Sequence, residues 1–345
     1  MTTPILVVCF NRPKLLQKLF SRLEQIPRTD IFISVDRAYE GMANLENCNG
    51  VLTLVKEYYK TSKHRVEIKF QEKNVGCNEN TLSGMDFLLA HHSSGLLLED
   101  DCEFVLPYIH FLNRNIDFID SSKYMSISPM NKNWSSDLYY RESSDIYFQS
   151  SVLMGASLGL TFSKDSKSTF DVAIKSLSSK DMISQINKAM RSAPVNFLQQ
   201  KVLGNLFEHK ANKINQTWNK LNSEWSPQSE TGWDTAWQLA AIFTGKKFLV
   251  PNFTLARESL FQIEGQWHPH SFSYPSWDNI NEEFIIPNLE NSKISSHPKI
   301  GEFSGMGISK YPIRDYIKLI VKNSLIFKMA CILNAFLQRI LVSKS

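Results

Sequence analysis

The run Gly95-Leu96-Leu97-Leu98-Glu99-Asp100-Asp101 constrains this chain more than any other stretch. A short, wholly apolar segment reads as a buried strand, and here it ends in three consecutive carboxylates. In open α/β sheets ligands bind in the crevice outside the carboxyl ends of the strands. Three adjacent negative charges in such a crevice repel one another and lose hydration, so a cation is needed to neutralise them. Hard oxygen donors suit Mg²⁺ or Mn²⁺. The expectation is a divalent ion carrying a diphosphate, set against the alternative of a solvated acidic turn.

The residues around this run alternate between two periods. Pro4 to Phe10 reads as a buried strand, and Asn11-Arg12-Pro13 opens a helix whose apolar face is Leu15, Leu16, Leu19, Phe20, Leu23 and Ile26. Ile31 to Val35 is a second strand ending in Asp36, and a helical stretch around Leu52 to Tyr59 leads to a third strand, Val66 to Phe70. The turn Asn74-Val75-Gly76-Cys77-Asn78 precedes a helix through Leu82, Met85 and Leu89, and the acidic strand follows. This βαβ alternation predicts a mostly parallel sheet with helices on both faces. No GxGxxG or Walker A sequence follows the first strand, which excludes a dinucleotide-binding domain of the usual kind and a P-loop NTPase.

Beyond the acidic turn, Tyr124 to Ser128 reads as a strand, residues 131 to 160 as loops framing a site, and Asp165 to Asn222 as helical, punctuated by Pro194. Trp233 to Phe243 is again helical, Lys247 to Val250 a strand stopped by Pro251, and residues 264 to 312 loop-rich. The expected organisation is a nucleotide-binding half over 1–130, an acceptor-binding half with a helical insertion over 131–312, and a tail over 313–345. In that tail apolar residues from Ile317 to Leu341 are interleaved with Lys318, Lys322, Lys328 and Arg339. Charges this frequent argue against a membrane span. The tail reads as a basic amphipathic helix on an anionic membrane surface, or as a helix docked on the catalytic domain or a second subunit.

Composition narrows the partners. A formal net charge of +4 in 345 residues, with no Lys/Arg block beside an aromatic platform, excludes nucleic acid. The five cysteines are scattered without a C-x-x-C pair, which excludes a zinc ribbon or disulfide framework and fits reduced thiols. Met1 to Pro4 lacks a basic region, and the apolar run after it is too short for a signal core. A cytoplasmic protein, peripheral at the inner membrane face, is expected.

In order and spacing, Pro4 to Pro13, Ser34-Val35-Asp36, Asn74-Val75-Gly76-Cys77 and Leu98-Glu99-Asp100-Asp101 resemble the pattern of GT-A glycosyltransferases. Among these, the chain is similar to a bacterial family reading N-R-P, N-x-G-C, L-E-D-D-C, W-D and a late His. That family is related in pattern to the eukaryotic N-acetylglucosaminyltransferases that build hybrid N-glycans. The resemblance is dense over residues 4 to 130 and returns at Gly232-Trp233-Asp234 and Val250-Pro251-Asn252. It implies a GT-A fold, with a helical, loop-rich acceptor region and the basic C-terminal helix. It also implies a Mn²⁺- or Mg²⁺-dependent transferase of the hexosyl or N-acetylhexosaminyl class, acting in bacterial polysaccharide biosynthesis. A nucleoside-diphosphate-sugar would be the donor, and a surface glycan or lipid-linked molecule the acceptor.

The same resemblance assigns roles. Asp101 would coordinate the metal directly, Asp100 would contact the ribose or a metal-bound water, and Glu99 would orient the site from behind. Arg12 would pair with a phosphate or stack near the base, with a surface salt bridge as its alternative. Asp36 would hydrogen-bond the uracil or ribose, or else only form the turn before Arg37. Asn74 and Gly76 would form a tight turn that lets the backbone approach the nucleotide, or Gly76 would only serve the turn geometry. Asp234, flanked by Trp233 and Trp237, would be the general base of an inverting transfer, with helix N-capping as its competing role. His268 would be the late histidine serving the metal or the diphosphate, with the neighbouring His270 and a structural role as alternatives. Two segments depart from the family: Met154 to Phe162 lacks its tryptophans, and Leu260 to Gly265 lacks a Gly-Phe-Gly spelling. Both belong to the acceptor side, so acceptor identity does not carry over. Two other functions compete, a nucleotidyltransferase acting on sugar phosphates and a non-catalytic glycan-binding relative. The missing Gly-rich basic loop opposes the first, and retention of all the acids opposes the second.

Overall fold

The computed structural model describes residues 2–42, 45–116, 121–129, 147–150, 159–176, 232–251, 255–258 and 294–295. The chain divides into two compact units, Met1–Pro298 and Lys299–Ser345, and every described residue belongs to the first. The expected helical stretch over 177–222, the loop-rich segment over 264–312 and the basic tail therefore lie outside the described residues, apart from Ile294–Ser295.

The first half alternates as the sequence pattern demands. Strands β1 (Ile5–Cys9), β2 (Asp30–Val35), β3 (Arg65–Phe70) and β4 (Ser94–Glu99) are linked by helices α1 (Pro13–Leu23), α2 (Leu45–Thr61) and α3 (Gly76–Leu89). Strands β1 to β4 pair in parallel. Then follow β5 (Cys102–Phe104), α4 (Leu106–Asn115), β6 (Tyr124–Ile127), β7 (Tyr147–Ser150), β8 (Thr161–Ser163) and α5 (Lys164–Ser176). The last described elements are α6 (Trp233–Thr244), β9 (Lys247–Pro251), β10 (Ala256–Glu258) and β11 (Ile294–Ser295). The central sheet runs β3-β2-β1-β4-β8, with β8 the single antiparallel strand. This is a mixed α/β fold on a mostly parallel sheet.

The pleat divides the core into two layers. Leu6, Val8, Phe32 and Leu97 face one side, where α3, α5 and α6 supply Leu82, Met85, Leu88, Phe170, Trp233 and Trp237. Ile5, Val7, Ile31, Ile33, Leu96 and Leu98 face the other, against Leu16, Leu19 and Phe20 of α1, Val51 and Val55 of α2, and Phe111 of α4. Strands covered on both faces need apolar residues at every position, which is why these runs do not alternate. Burying each such aliphatic side chain contributes about 1.5–3 kcal/mol.

Helices α1 and α2 return on one face and α3 on the other, so the strand order reverses at β1. The carboxyl ends of β1 and β4 therefore part around a crevice at the topological switch point. Helix α3 settles close to the sheet because it carries Gly84, where a Cβ would meet Ser34 Cβ at 3.0 Å.

Two smaller sheets complete the described part. Strand β10 pairs antiparallel with β5, and the second forms in the order β11-β7-β9-β6. Strand β9 does not stop before Pro251 but includes it, opposite Tyr147 of β7. Its parallel partner β6 ends opposite Leu249, so the missing proline N–H interrupts no bond on that side. Trp237 anchors α6: it is fully buried, its indole N–H donates to Ser126 Oγ at 3.0 Å, and it stacks on Phe170.

Candidate functional site

The acidic strand ends where its sequence suggested. Glu99 closes β4, Asp100 and Asp101 form the turn after it, and the chain re-enters a strand at Cys102. The Asp100 backbone N–H donates to Val8 O at 3.0 Å, so the turn stays stitched to β1. Its carboxylate accepts from the Phe10 backbone N–H at 3.2 Å and from Arg12 Nη1 at 2.9 Å. Arg12 Nη1 also bonds Asp101. Arg12 precedes Pro13 and α1, with its carbonyl accepting the Leu16 N–H at 3.0 Å. A residue before proline is held out of the helical region, and this sends the side chain over the β1–β4 crevice.

The third acid has another partner. Glu99 accepts the Trp233 indole N–H at Oε1, 3.1 Å. Trp233 begins α6, and its backbone N–H donates to Asn78 Oδ1 at 2.6 Å. Thus α3 caps α6 through Asn78, while α6 holds Glu99 through Trp233. Asp234 follows, half-buried in the first turn of α6 and close enough to Glu99 to raise its pKa.

One expectation about Asp234 is corrected. Gly232, not Asp234, occupies the N-cap position of α6. Trp233 and Trp237 are four residues apart and share the core face, whereas the next position lies about 100° around the helix.

Among the described residues the site holds more acids than cations. Glu99, Asp100, Asp101 and Asp234 share the crevice with Arg12, the one cation bonded to the triplet among the described residues. Burial first, then repulsion from Asp101 and Asp234, pushes Glu99 up to about 8. Burial also lifts Asp100, to about 7; Arg12 opposes the shift and Asp101 adds to it. For Arg12 itself, burial lowers the pKa, but Asp100, Asp101 and Glu99 outweigh it and hold the guanidinium above its usual value.

Asp36 bonds the protein itself, starting with the turn at Arg37. Its Oδ1 accepts the backbone N–H groups of Arg37 at 2.8 Å and Val75 at 2.9 Å. Its Oδ2 accepts Gly76 N–H at 2.9 Å and Asn74 Nδ2 at 3.2 Å. Four donors fill the carboxylate, which therefore caps α3 from β2 and has no lone pair left for a base or ribose in this arrangement. Burial raises its pKa while the amides of Val75, Arg37 and Gly76 pull it down. Asn74 also donates to Arg37 O at 2.6 Å, and Gly76 sits at φ +80°, a conformation that requires glycine. The Asn74–Gly76 turn is thus built by Asp36.

Sequence reasoning missed a buried polar network beneath this turn. Ser34 Oγ donates to Asn80 Oδ1 at 2.7 Å, Gln71 Nε2 donates to the same oxygen at 3.0 Å, and Asn80 Nδ2 reaches Cys9 O at 3.5 Å. The run Asn80-Thr81 and Ser83 on an otherwise apolar helix face was the available signal.

A divalent cation fits this donor set in a limited sense. The oxygens are hard and the net charge is negative, yet no group of three or more ligating side chains is assembled among the described residues. Mg²⁺ and similar ions bind through one or two carboxylates plus substrate phosphates, which asks only Asp101 and a neighbour of this chain. His268 and its neighbour His270 lie outside the described residues. No described helix is long and apolar enough to cross a membrane. A scan against protein-family models finds none that matches the chain, and a search of curated proteins returns no match.

Proposed function

We propose that this chain is a metal-dependent glycosyltransferase of GT-A type. It would move a sugar from a nucleoside-diphosphate-sugar to a glycan or lipid-linked acceptor with inversion at the anomeric carbon. One observation carries the reading: Glu99, Asp100, Asp101 and Asp234 converge with Arg12 at the switch point of a parallel sheet, where diphosphates bind in such folds.

The chain's own groups divide the work. Arg12 carries the planar N–H fork that suits a phosphate, and Asp101 is the carboxylate for the divalent ion. That ion, when bound, supplies Lewis-acid stabilisation of the departing diphosphate. Asp36 acts as a positioning residue, holding the Asn74–Gly76 turn against the nucleotide. Glu99, its pKa raised by burial and its carboxyl tied to Trp233, keeps α6 at the crevice wall. Asp234, beside it, accepts the acceptor hydroxyl's proton as that oxygen attacks the sugar.

The test is a screen of nucleoside-diphosphate-sugars with Mn²⁺, reading release of nucleoside diphosphate. Turnover that is lost in a folded Asp101→Ala variant supports the reading. An unchanged rate removes Asp101 from the mechanism, and pyrophosphate release from a nucleoside triphosphate and a sugar phosphate would point to nucleotidyl transfer instead.

A further inference from the structure

Arg12 and the acids it bonds are not equally accessible. The Asp100 and Asp101 side chains are 7% and 5% exposed, whereas the Arg12 side chain keeps 33% exposure. The guanidinium is the outer member, and the carboxylates lie beneath it. Both contacts run through Nη1, and among the described residues Nη2 and Nε make no bond. The stem is fixed by its place before Pro13 and by the Leu16 bond to its carbonyl, so the head group can pivot without moving the backbone.

Two requirements meet at this arginine. Buried carboxylates without a cation are strongly destabilising, so the ligand-free protein needs a positive charge here. A divalent ion arriving from solvent needs the same Asp101, and it meets the guanidinium first. A diphosphate resolves the conflict, because it offers Arg12 a planar, charge-assisted pairing in exchange for the carboxylates.

We infer that Arg12 is the resident counter-ion of the acidic site, and that a divalent cation reaches Asp101 only as a nucleoside diphosphate draws the guanidinium away. This rests on the metal-dependent reading above and adds to it the order of binding. Metal alone binds weakly, nucleotide and metal bind with positive coupling, and each strengthens the other by the same factor.

The experiment titrates the full chain with Mn²⁺, reading free Mn²⁺ by electron paramagnetic resonance, alone and with saturating UDP or GDP. For wild type, the nucleotide is expected to tighten Mn²⁺ binding by on the order of tenfold or more. In Arg12→Gln, Mn²⁺ alone should bind roughly tenfold tighter than in wild type, the scale of removing one half-buried competing charge, and the coupling should shrink. Arg12→Lys keeps the charge and should stay near wild type for Mn²⁺ alone.

Equal binding of Mn²⁺ alone by wild type and Arg12→Gln overturns the counter-ion role and leaves the metal-dependent reading standing. If circular dichroism shows Arg12→Gln unfolded, wild type decides: Mn²⁺ affinity indifferent to nucleotide overturns the inference. No Mn²⁺ uptake by any of the proteins, with or without nucleotide, defeats the metal-dependent reading itself.

Discussion

Trp233 donates its indole N–H to Glu99 Oε1 at 3.1 Å, joining the first residue of α6 to the last residue of β4. This bond is the main favourable contact of a carboxyl surrounded by like charges. In Trp233→Phe the ring face survives and the donor does not, which leaves Glu99 without that partner. The expected cost is about 1–3 kcal/mol, read as a fall in the denaturant midpoint. Trp233→Phe with an unchanged midpoint would show that Glu99 does not depend on α6.

Asp36 should behave as a clamp. Asp36→Asn turns one acceptor oxygen into an N–H₂ group facing backbone donors, and is expected to cost about 2 kcal/mol, the upper range for a lost helix cap. Gly76→Ala should cost about 1–2 kcal/mol through its left-handed backbone alone. Both variants should weaken nucleotide binding together with stability. An Asp36→Asn protein of normal stability that fails to bind nucleotide would instead return Asp36 to direct contact with the ligand.

The pH dependence of the metal-free protein follows from Glu99 and Asp100. Burial and repulsion raise both above the value near 4 that unfolded carboxylates show, Glu99 to about 8 and Asp100 to about 7. The folded state then holds more protons than the unfolded one between those limits. Their contribution is fully present below the unfolded pKa and is lost as pH rises through the folded values. Subtracting the melting curve of Glu99→Gln from that of wild type isolates the effect, which should decline towards pH 8. A difference that grows with pH would contradict it.

His64 should act with the opposite sign. It accepts the Thr29 backbone N–H at Nδ1, 3.2 Å, so its Nε2 carries the hydrogen donated to Leu23 O at 2.9 Å. Burial lowers its pKa below the ordinary histidine value. A depressed histidine favours folding above its unfolded pKa and loses that contribution as pH falls below about 6.5. Thermal melts of wild type and His64→Gln should converge under acid conditions. A constant gap between them would remove His64 from the acid response.

What could be read from the sequence depended on how local the cause was. Strands β1, β2 and β4 were legible because strands buried on both faces write uninterrupted apolar runs, and Ile5, Ile31 and Leu96 are such residues, whereas edge strand β3 showed itself by alternating Val66, Ile68 and Phe70 with charged residues. Short β5 and helix α4 were not anticipated, because three residues after an acidic turn carry no periodic signal. The acids themselves were visible, but their partners were not. Asp36 caps a helix beginning forty residues later, and Glu99 is held by a tryptophan 134 positions away. Such pairings are set by the strand reversal at β1, which no window of sequence contains.

In the proposed function Asp101 and its neighbours take up a sugar nucleotide's diphosphate through a divalent ion. Calorimetry of the full chain with a panel of nucleoside-diphosphate-sugars tests it most directly, run with Mn²⁺, with a chelator, and on Asp101→Asn. Saturable binding of at least one donor is expected, requiring Mn²⁺ and weakened by roughly tenfold or more in the variant. Donor binding that is the same with chelator present, or no donor binding in any condition, would contradict it.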